Sequence, residues 1–152
     1  MLASVIAENA GRLAYRYEHA LKATIEDLLG MPYFLPTHQG RAAENVLMST
    51  LIGVGSEGAG KLVPGNSHFD TTKGHIEFRK AEAVDCTIDE AFDTENLHPF
   101  KGNVDINKLK KVFETYPHDK IPFIIVTVTN NTAGGQPIDG ATVFVRSNSG
   151  KS

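Results

Sequence analysis

The sequence predicts an α/β protein with a mostly parallel sheet flanked by helices. Three observations carry this. Amphipathic helical stretches alternate with short apolar runs, the order that layered α/β folds require. One run, Phe123-Ile124-Ile125-Val126-Thr127-Val128, is almost continuously apolar and β-branched, as a parallel strand covered on both faces should be. The length, 152 residues, suits one domain.

Taken in order, residues 7–29 form the first predicted helix. Leu13, Tyr17, Leu21, Ile25, Leu28 and Leu29 recur at spacings of three and four and fall on one face. Gly30 and Pro32 stop it. Residues 33–35 read as a short strand ending at Pro36. Residues 40–54 are helical again, and a glycine-rich loop runs from Gly53 to Gly60. Leu62-Val63 reads as a strand closed by a Pro64-Gly65 turn. Residues 71–78 leave helix and loop both open, and residues 83–88 suit a strand. Residues 89–103 are polar and irregular. Ile106, Leu109, Phe113 and Tyr116 mark a helix with Asp105 as its N-cap. After the run at 123–128 comes a loop over 130–137, one more candidate strand at 141–146, and a tail over 147–152.

Composition narrows the function. Lys and Arg number 15 against 18 Asp and Glu, a net charge of −3. No basic excess exists to release counterions from a nucleic acid. No stretch approaches the length of apolar sequence that a membrane span needs, and the first residues lack the basic start of a signal peptide. A single cysteine, Cys86, cannot form an intrachain disulfide and fits a reducing compartment. A cytoplasmic protein with no nucleic-acid or membrane partner is expected. The six histidines form no H-x-x-x-H pair and no Cys/His cluster, so no metal site is expected.

Open α/β sheets bind ligands beyond the carboxyl ends of their strands. Three loops qualify: residues 37–41, 66–72 and 129–137. In the first, Gly40 permits close backbone approach, the opening turn of a helix has unpaired amides, and Arg41 adds a permanent charge. That is an anion cradle, or an ordinary turn with a solvated arginine. In the second, Phe69 is either a stacking ring or core. Asp70 is either an acid/base or substrate-orienting carboxylate, or a helix cap. In the third, Asn131 either bonds a ligand oxygen or satisfies loop backbone, and Gly134-Gly135 give the backbone freedom. Gly53, Gly55 and Gly58 also fit G-x-G-x-x-G, and Gly55, Gly60 and Lys61 come close to a P-loop. Both patterns need a strand before and a helix after. Here a helix precedes and Pro64-Gly65 follows, so a plain connection is expected.

Pro36-Thr37-His38-Gln39-Gly40-Arg41-Ala42-Ala43-Glu44-Asn45 resembles the phosphate motif of the aromatic amino-acid β-eliminating lyases, the family of tryptophanase and tyrosine phenol-lyase. Phe69-Asp70-Thr71-Thr72-Lys73-Gly74-His75 is similar to a second family block. Glu90-Ala91-Phe92-Asp93-Thr94 with Phe100-Lys101-Gly102-Asn103 resembles a third, and the stretch from Thr127 to Pro137 a fourth. The blocks stand in family order across positions 18–137.

The resemblance implies part of the large domain of a fold-type I pyridoxal-phosphate enzyme over residues 1–137, with a divergent tail over 138–152. It implies that Gln39, Gly40 and Arg41 hold the cofactor phosphate, Phe69 stacks on the pyridine ring, and Asn131 bonds the ring's phenolic oxygen. Tryptophanases of this family typically carry Asp after the stacking Phe and tyrosine phenol-lyases Thr, so Asp70 favours cleavage of L-tryptophan to indole, pyruvate and ammonia. In the full-length family the enzyme is a homotetramer that uses potassium. The family's cofactor-anchoring lysine and ring-tuning Asp and Arg lie downstream of the fourth block, and its tyrosine acid and cation ligand lie upstream. Tyr15 and Tyr17 do not align with that tyrosine, and Lys151 is not assigned the lysine's role. The 152-residue chain is therefore expected to be a fragment, inactive alone.

Overall fold

The computed structural model describes residues 2–139, with side chains from residue 16 onward. The chain divides into two compact units, Met1–His38 and Gln39–Ser152. In the first, helix α1 spans Leu2–Leu29. It stops where the sequence predicts. Gly30 turns to φ 65° and its N–H closes on the Glu26 carbonyl at 2.9 Å, a left-handed cap that glycine adopts without strain. The strand predicted at 33–35 is not formed. Pro32 and Pro36 bracket it and withhold amide donors that a ladder needs, and Tyr33 stays 90% exposed.

The second unit contains α2 (Gly40–Leu51), β1 (Leu62–Gly65), α3 (Asp70–Phe78), β2 (Glu82–Asp85) and α4 (Ile106–Thr115), with short 3-10 turns at Asp89–Phe92 and His118–Lys120. β1 and β2 pair in parallel, with Leu62 opposite Glu82 and Gly65 opposite Asp85. α3 is the crossover between them. α4 begins as predicted: Asp105 Oδ1 accepts from the amides of Asn107 at 2.8 Å and Lys108 at 3.1 Å.

Strand side chains alternate between faces, and the core divides accordingly. Val63, Ala83 and Ile125 pack with Met48 and Ile52 near the end of α2 and with Ile76 of α3. Val84, Cys86 and Val126 pack with Leu109 and Val112 of α4. The α/β layering, with helices on both faces of a small parallel sheet, is present.

Two strand expectations are corrected. Pro64-Gly65 is not a turn but the end of β1. Residues 123–128 are not a regular strand; among the described residues they make one parallel bridge, Ile125 to Gly65. The cause lies in β1. Successive strand residues direct their backbone groups to opposite sides. The Gly65 carbonyl accepts from Cys86 N at 2.7 Å on the β2 side, and the Pro64 carbonyl accepts from Ile125 N at 3.0 Å on the other. Pro64 has no N–H to return on that side. Further on, the Asn66 side chain takes over: Thr127 N donates to Asn66 Oδ1 at 2.7 Å and Asn66 Nδ2 donates to the Thr127 carbonyl at 3.0 Å. The ladder is replaced by one backbone bond and one amide side chain.

The segment from Gly53 to Gly60 follows α2 and feeds β1, so a strand and not a helix comes directly after Lys61. Its phosphate-loop patterns are removed, and Lys61 Nζ instead caps α2 by donating to the Ile52 carbonyl at 2.6 Å. The strand expected at 141–146 and the tail at 147–152 lie outside the described residues. Among the described residues no helix is long and apolar enough to cross a membrane.

Candidate functional site

The α2 start carries the first group of predicted residues. The expected strand before it is absent, so the helix terminus alone supplies the geometry. Gln39 is the N-cap, extended at φ −166° and ψ 164°. Its carbonyl accepts from the amides of Ala42 at 3.0 Å and Ala43 at 3.2 Å. A Cβ on Gly40 would meet nothing within 4 Å, so the space beside the first turn is open. Arg41 is exposed and lines a groove of about 430 Å³ with Asn45, Thr71, Gly74, His75 and Phe78.

The second group sits at the start of α3. Phe69 holds the N-cap position at φ −64° and ψ 148°, and with 38% exposure it is not a core residue. Asp70 is the first residue of the helix rather than its cap, and is exposed. The third, Asn131, is exposed on a tight loop. That loop closes around Asn130, whose N–H donates to the Gln136 carbonyl at 2.9 Å and whose carbonyl accepts from Gly135 N at 2.9 Å. Gly134 and Gly135 turn to φ 85° and 74° to permit it, the backbone freedom that the pair offers.

The structure ties these exposed positions together through residues that the sequence did not single out. Glu44, one turn into α2 from Gly40, accepts from Thr71 Oγ1 at 3.1 Å on one oxygen and from Thr72 Oγ1 on the other. It thereby links the helix carrying Arg41 to the helix carrying Asp70. Arg79, 3% exposed, locks the same two helices further along. It donates to Asn45 Oδ1 at 2.6 Å, the Asn45 carbonyl at 3.0 Å, Ser49 Oγ at 2.5 Å and the His75 carbonyl at 2.9 Å. Beyond its bonds to Thr127, Asn66 donates to the Gly102 carbonyl at 2.8 Å. Thr132 Oγ1 donates to the His68 carbonyl at 3.2 Å, joining the Phe69 and Asn131 loops directly.

Electrostatics beneath the loops are set by burial. His68 is buried with Nε2 unpartnered among the described residues. Burial pushes its pKa down, outweighing nearby Asp85 and a hydrogen bond with the Val63 backbone. For Asp85, burial alone would raise the pKa. Hydrogen bonds from the Thr87 hydroxyl and amide and the Ser67 amide, with Lys108 nearby, hold it below the ordinary carboxylate value. Ser67 adopts φ 51°, and its N–H donates to Asp85 Oδ1 at 3.1 Å. Among the described residues no group of three His, Cys, Asp or Glu side chains could hold a metal.

The β-eliminating lyase family matches residues 8–144. A probable beta-eliminating lyase of Trichomonas vaginalis is 63% identical over 123 residues, 81% of this chain and 26% of the relative. A tryptophanase of Rhodobacter capsulatus is 43% identical over 129 residues, 85% of this chain and 26% of the relative. A tyrosine phenol-lyase of Nostoc punctiforme is 46% identical over 123 residues, 81% of this chain and 25% of the relative. The chain thus spans about a quarter of the length of these curated relatives.

Proposed function

The chain belongs to the β-eliminating lyase family, and from that premise we propose that it forms part of the pyridoxal-phosphate site of an enzyme that cleaves L-tryptophan with water to indole, pyruvate and ammonia. The observation that carries this reading is the linked set of exposed groups: a helix start with Arg41, the Phe69 ring and the Asn131 amide, joined through Glu44 and Thr132. Their chemistry fits the cofactor. Open space at Gly40, first-turn amides and a guanidinium suit a phosphate dianion. A half-exposed ring suits a flat heterocycle, and a side-chain amide suits a phenolic oxygen.

When bound, pyridoxal phosphate supplies an electron sink for the carbanion at the substrate α-carbon. The chain's own residues bind and orient. Gln39, Gly40 and Arg41 hold the phosphate, Phe69 covers one ring face, and Asn131 donates to the phenolic oxygen. Asp70 accepts a hydrogen bond or a proton from the substrate. Its identity supports tryptophan, because the family's tryptophanases typically carry Asp there. Tyrosine is the second reading, favoured by the 46% identity to the Nostoc punctiforme tyrosine phenol-lyase. The cleavage, the potassium ion and the homotetramer belong to a protein of family length.

The cofactor reading is tested on the chain itself. Pyridoxal phosphate should bind saturably, compete with inorganic phosphate, and bind about tenfold more weakly to Arg41→Gln, the effect of one charge-assisted hydrogen bond. Binding indifferent to phosphate and to Arg41→Gln would refute it.

A further inference from the structure

Asn66 lies three residues before Phe69 and is 1% exposed. Each polar atom of its side chain has a partner. Oδ1 accepts from Thr127 N at 2.7 Å, and Nδ2 donates to the Thr127 carbonyl at 3.0 Å and the Gly102 carbonyl at 2.8 Å. The amide therefore acts as an extra strand residue, pairing with Thr127 in both directions where Pro64 leaves the ladder short of a donor. The segment it grips leads within a few residues to Asn131. The segment it belongs to leads to Phe69. A second tie, Thr132 Oγ1 to the His68 carbonyl at 3.2 Å, closes the joint beyond it.

We infer that Asn66 is a positioning residue that sets the Asn131 amide at a fixed offset from the Phe69 ring, so that one flat ligand meets both. The inference rests on the cofactor reading above and deepens it. Phe69 and Asn131 come from segments far apart in sequence. Exposed loops carry little of their own geometry. Two side chains that must touch the same ring, one on its face and one at its edge, need their relative placement fixed to a fraction of an ångström. The fully buried amide of Asn66, held by three hydrogen bonds, supplies that.

The test uses two aldehyde-free probes, 4′-deoxypyridoxine 5′-phosphate and its 3-deoxy analogue, which lacks the phenolic oxygen. Neither depends on a lysine or on turnover. The native chain should prefer the first by about tenfold, the size of one hydrogen bond to a charged acceptor. Asn66→Asp keeps the acceptor for Thr127 N but turns a carboxylate oxygen toward two carbonyls. It should retain phosphate-dependent binding of both probes while the preference falls to within about twofold. Preference intact in Asn66→Asp overturns the inference, as does an equal loss of affinity for both probes, which marks a purely structural role. If Asn66→Asp does not fold, Thr132→Val cuts the other tie at an exposed position. It must narrow the same ratio, and an unchanged ratio overturns the inference. A native chain that binds both probes equally removes Asn131 from the ring and the inference with it. A native chain that binds neither refutes the cofactor reading itself.

Discussion

Residues 66–68 and residues 69–70 adjoin in sequence and are opposite in burial and bonding. Asn66, Ser67 and His68 are buried and wired into backbone and side chains from elsewhere in the unit. Phe69 and Asp70 are exposed, and neither makes a side-chain cap. A binding rim must leave its groups unsatisfied so that a ligand can satisfy them. A mount satisfies most of its polar groups, because a buried polar group without a partner costs about 1–3 kcal/mol; among the described residues His68 Nε2 is an exception in this one. The same division recurs in α2, where Arg41 is exposed while Glu44 and Asn45 hold α3. Substitutions in the mount should therefore change stability, and substitutions in the rim should change binding or specificity.

The largest expected effect is at Arg79. Among the described residues its guanidinium hydrogen-bonds neutral acceptors, and four bonds join it to both α2 and the end of α3. Arg79→Ala removes those bonds, strands Asn45 Oδ1, and empties the volume beneath Phe78. It should lower the unfolding free energy by about 3 kcal/mol in urea denaturation. A loss no larger than that of an exposed substitution on α2 would show that the helices are held by their apolar contacts alone.

Acid should loosen the mount next. His68 holds its proton less tightly when folded than when unfolded, because burial disfavours the imidazolium. The folded state then binds fewer protons, so its stability is greatest above the unfolded value of about 6.5 and falls as pH drops toward and through the folded value. The urea midpoint should decrease from pH 7.5 to pH 5.5, about the range where an ordinary histidine titrates, and His68→Gln should flatten that slope. Asp85 has its pKa lowered as well. Its contribution is lost only at lower pH, below the ordinary carboxylate value of about 4, so the two can be told apart. A midpoint that rises on acidification, or a slope that His68→Gln leaves unchanged, contradicts the assignment.

The contrast between mount and rim also explains what the sequence disclosed. Helix positions were legible because their signals are local: the α1 stop at Gly30 and the Asp105 cap are each read from neighbouring residues. The proposed rim rests on contiguous words, Gln39-Gly40-Arg41 and Phe69-Asp70. The mount does not. Asn66 stands in a candidate ligand loop with no role of its own until Thr127 and Gly102 are brought to it, and Glu44 stands inside the first family-like block with none until Thr71 and Thr72 arrive. The run at 123–128 misled for a related reason. Its composition specifies burial on two faces, which it has in part through Phe123, Ile125 and Val126. Ladder bonds depend on the neighbouring strand, and Pro64 withholds one.

The smallest effect on stability should come from Asp70, and there the comparison is sharpest. It is the first residue of α3, exposed, and among the described residues no hydrogen bond or ion pair of its side chain anchors the fold. Asp70→Thr should shift the unfolding free energy by no more than about 0.5 kcal/mol, as surface substitutions do. In a protein of family length the same change should raise phenol release from tyrosine relative to indole release from tryptophan, measured as the ratio of the two kcat/KM values. That ratio separates the two substrate readings, because loss of a substrate-facing acceptor alters the transition state for one aromatic leaving group more than for the other. An unchanged ratio with unchanged stability would take Asp70 out of the site and leave tryptophan and tyrosine equally supported. A large loss of stability would move Asp70 from the rim to the mount and break the division drawn between residues 68 and 69.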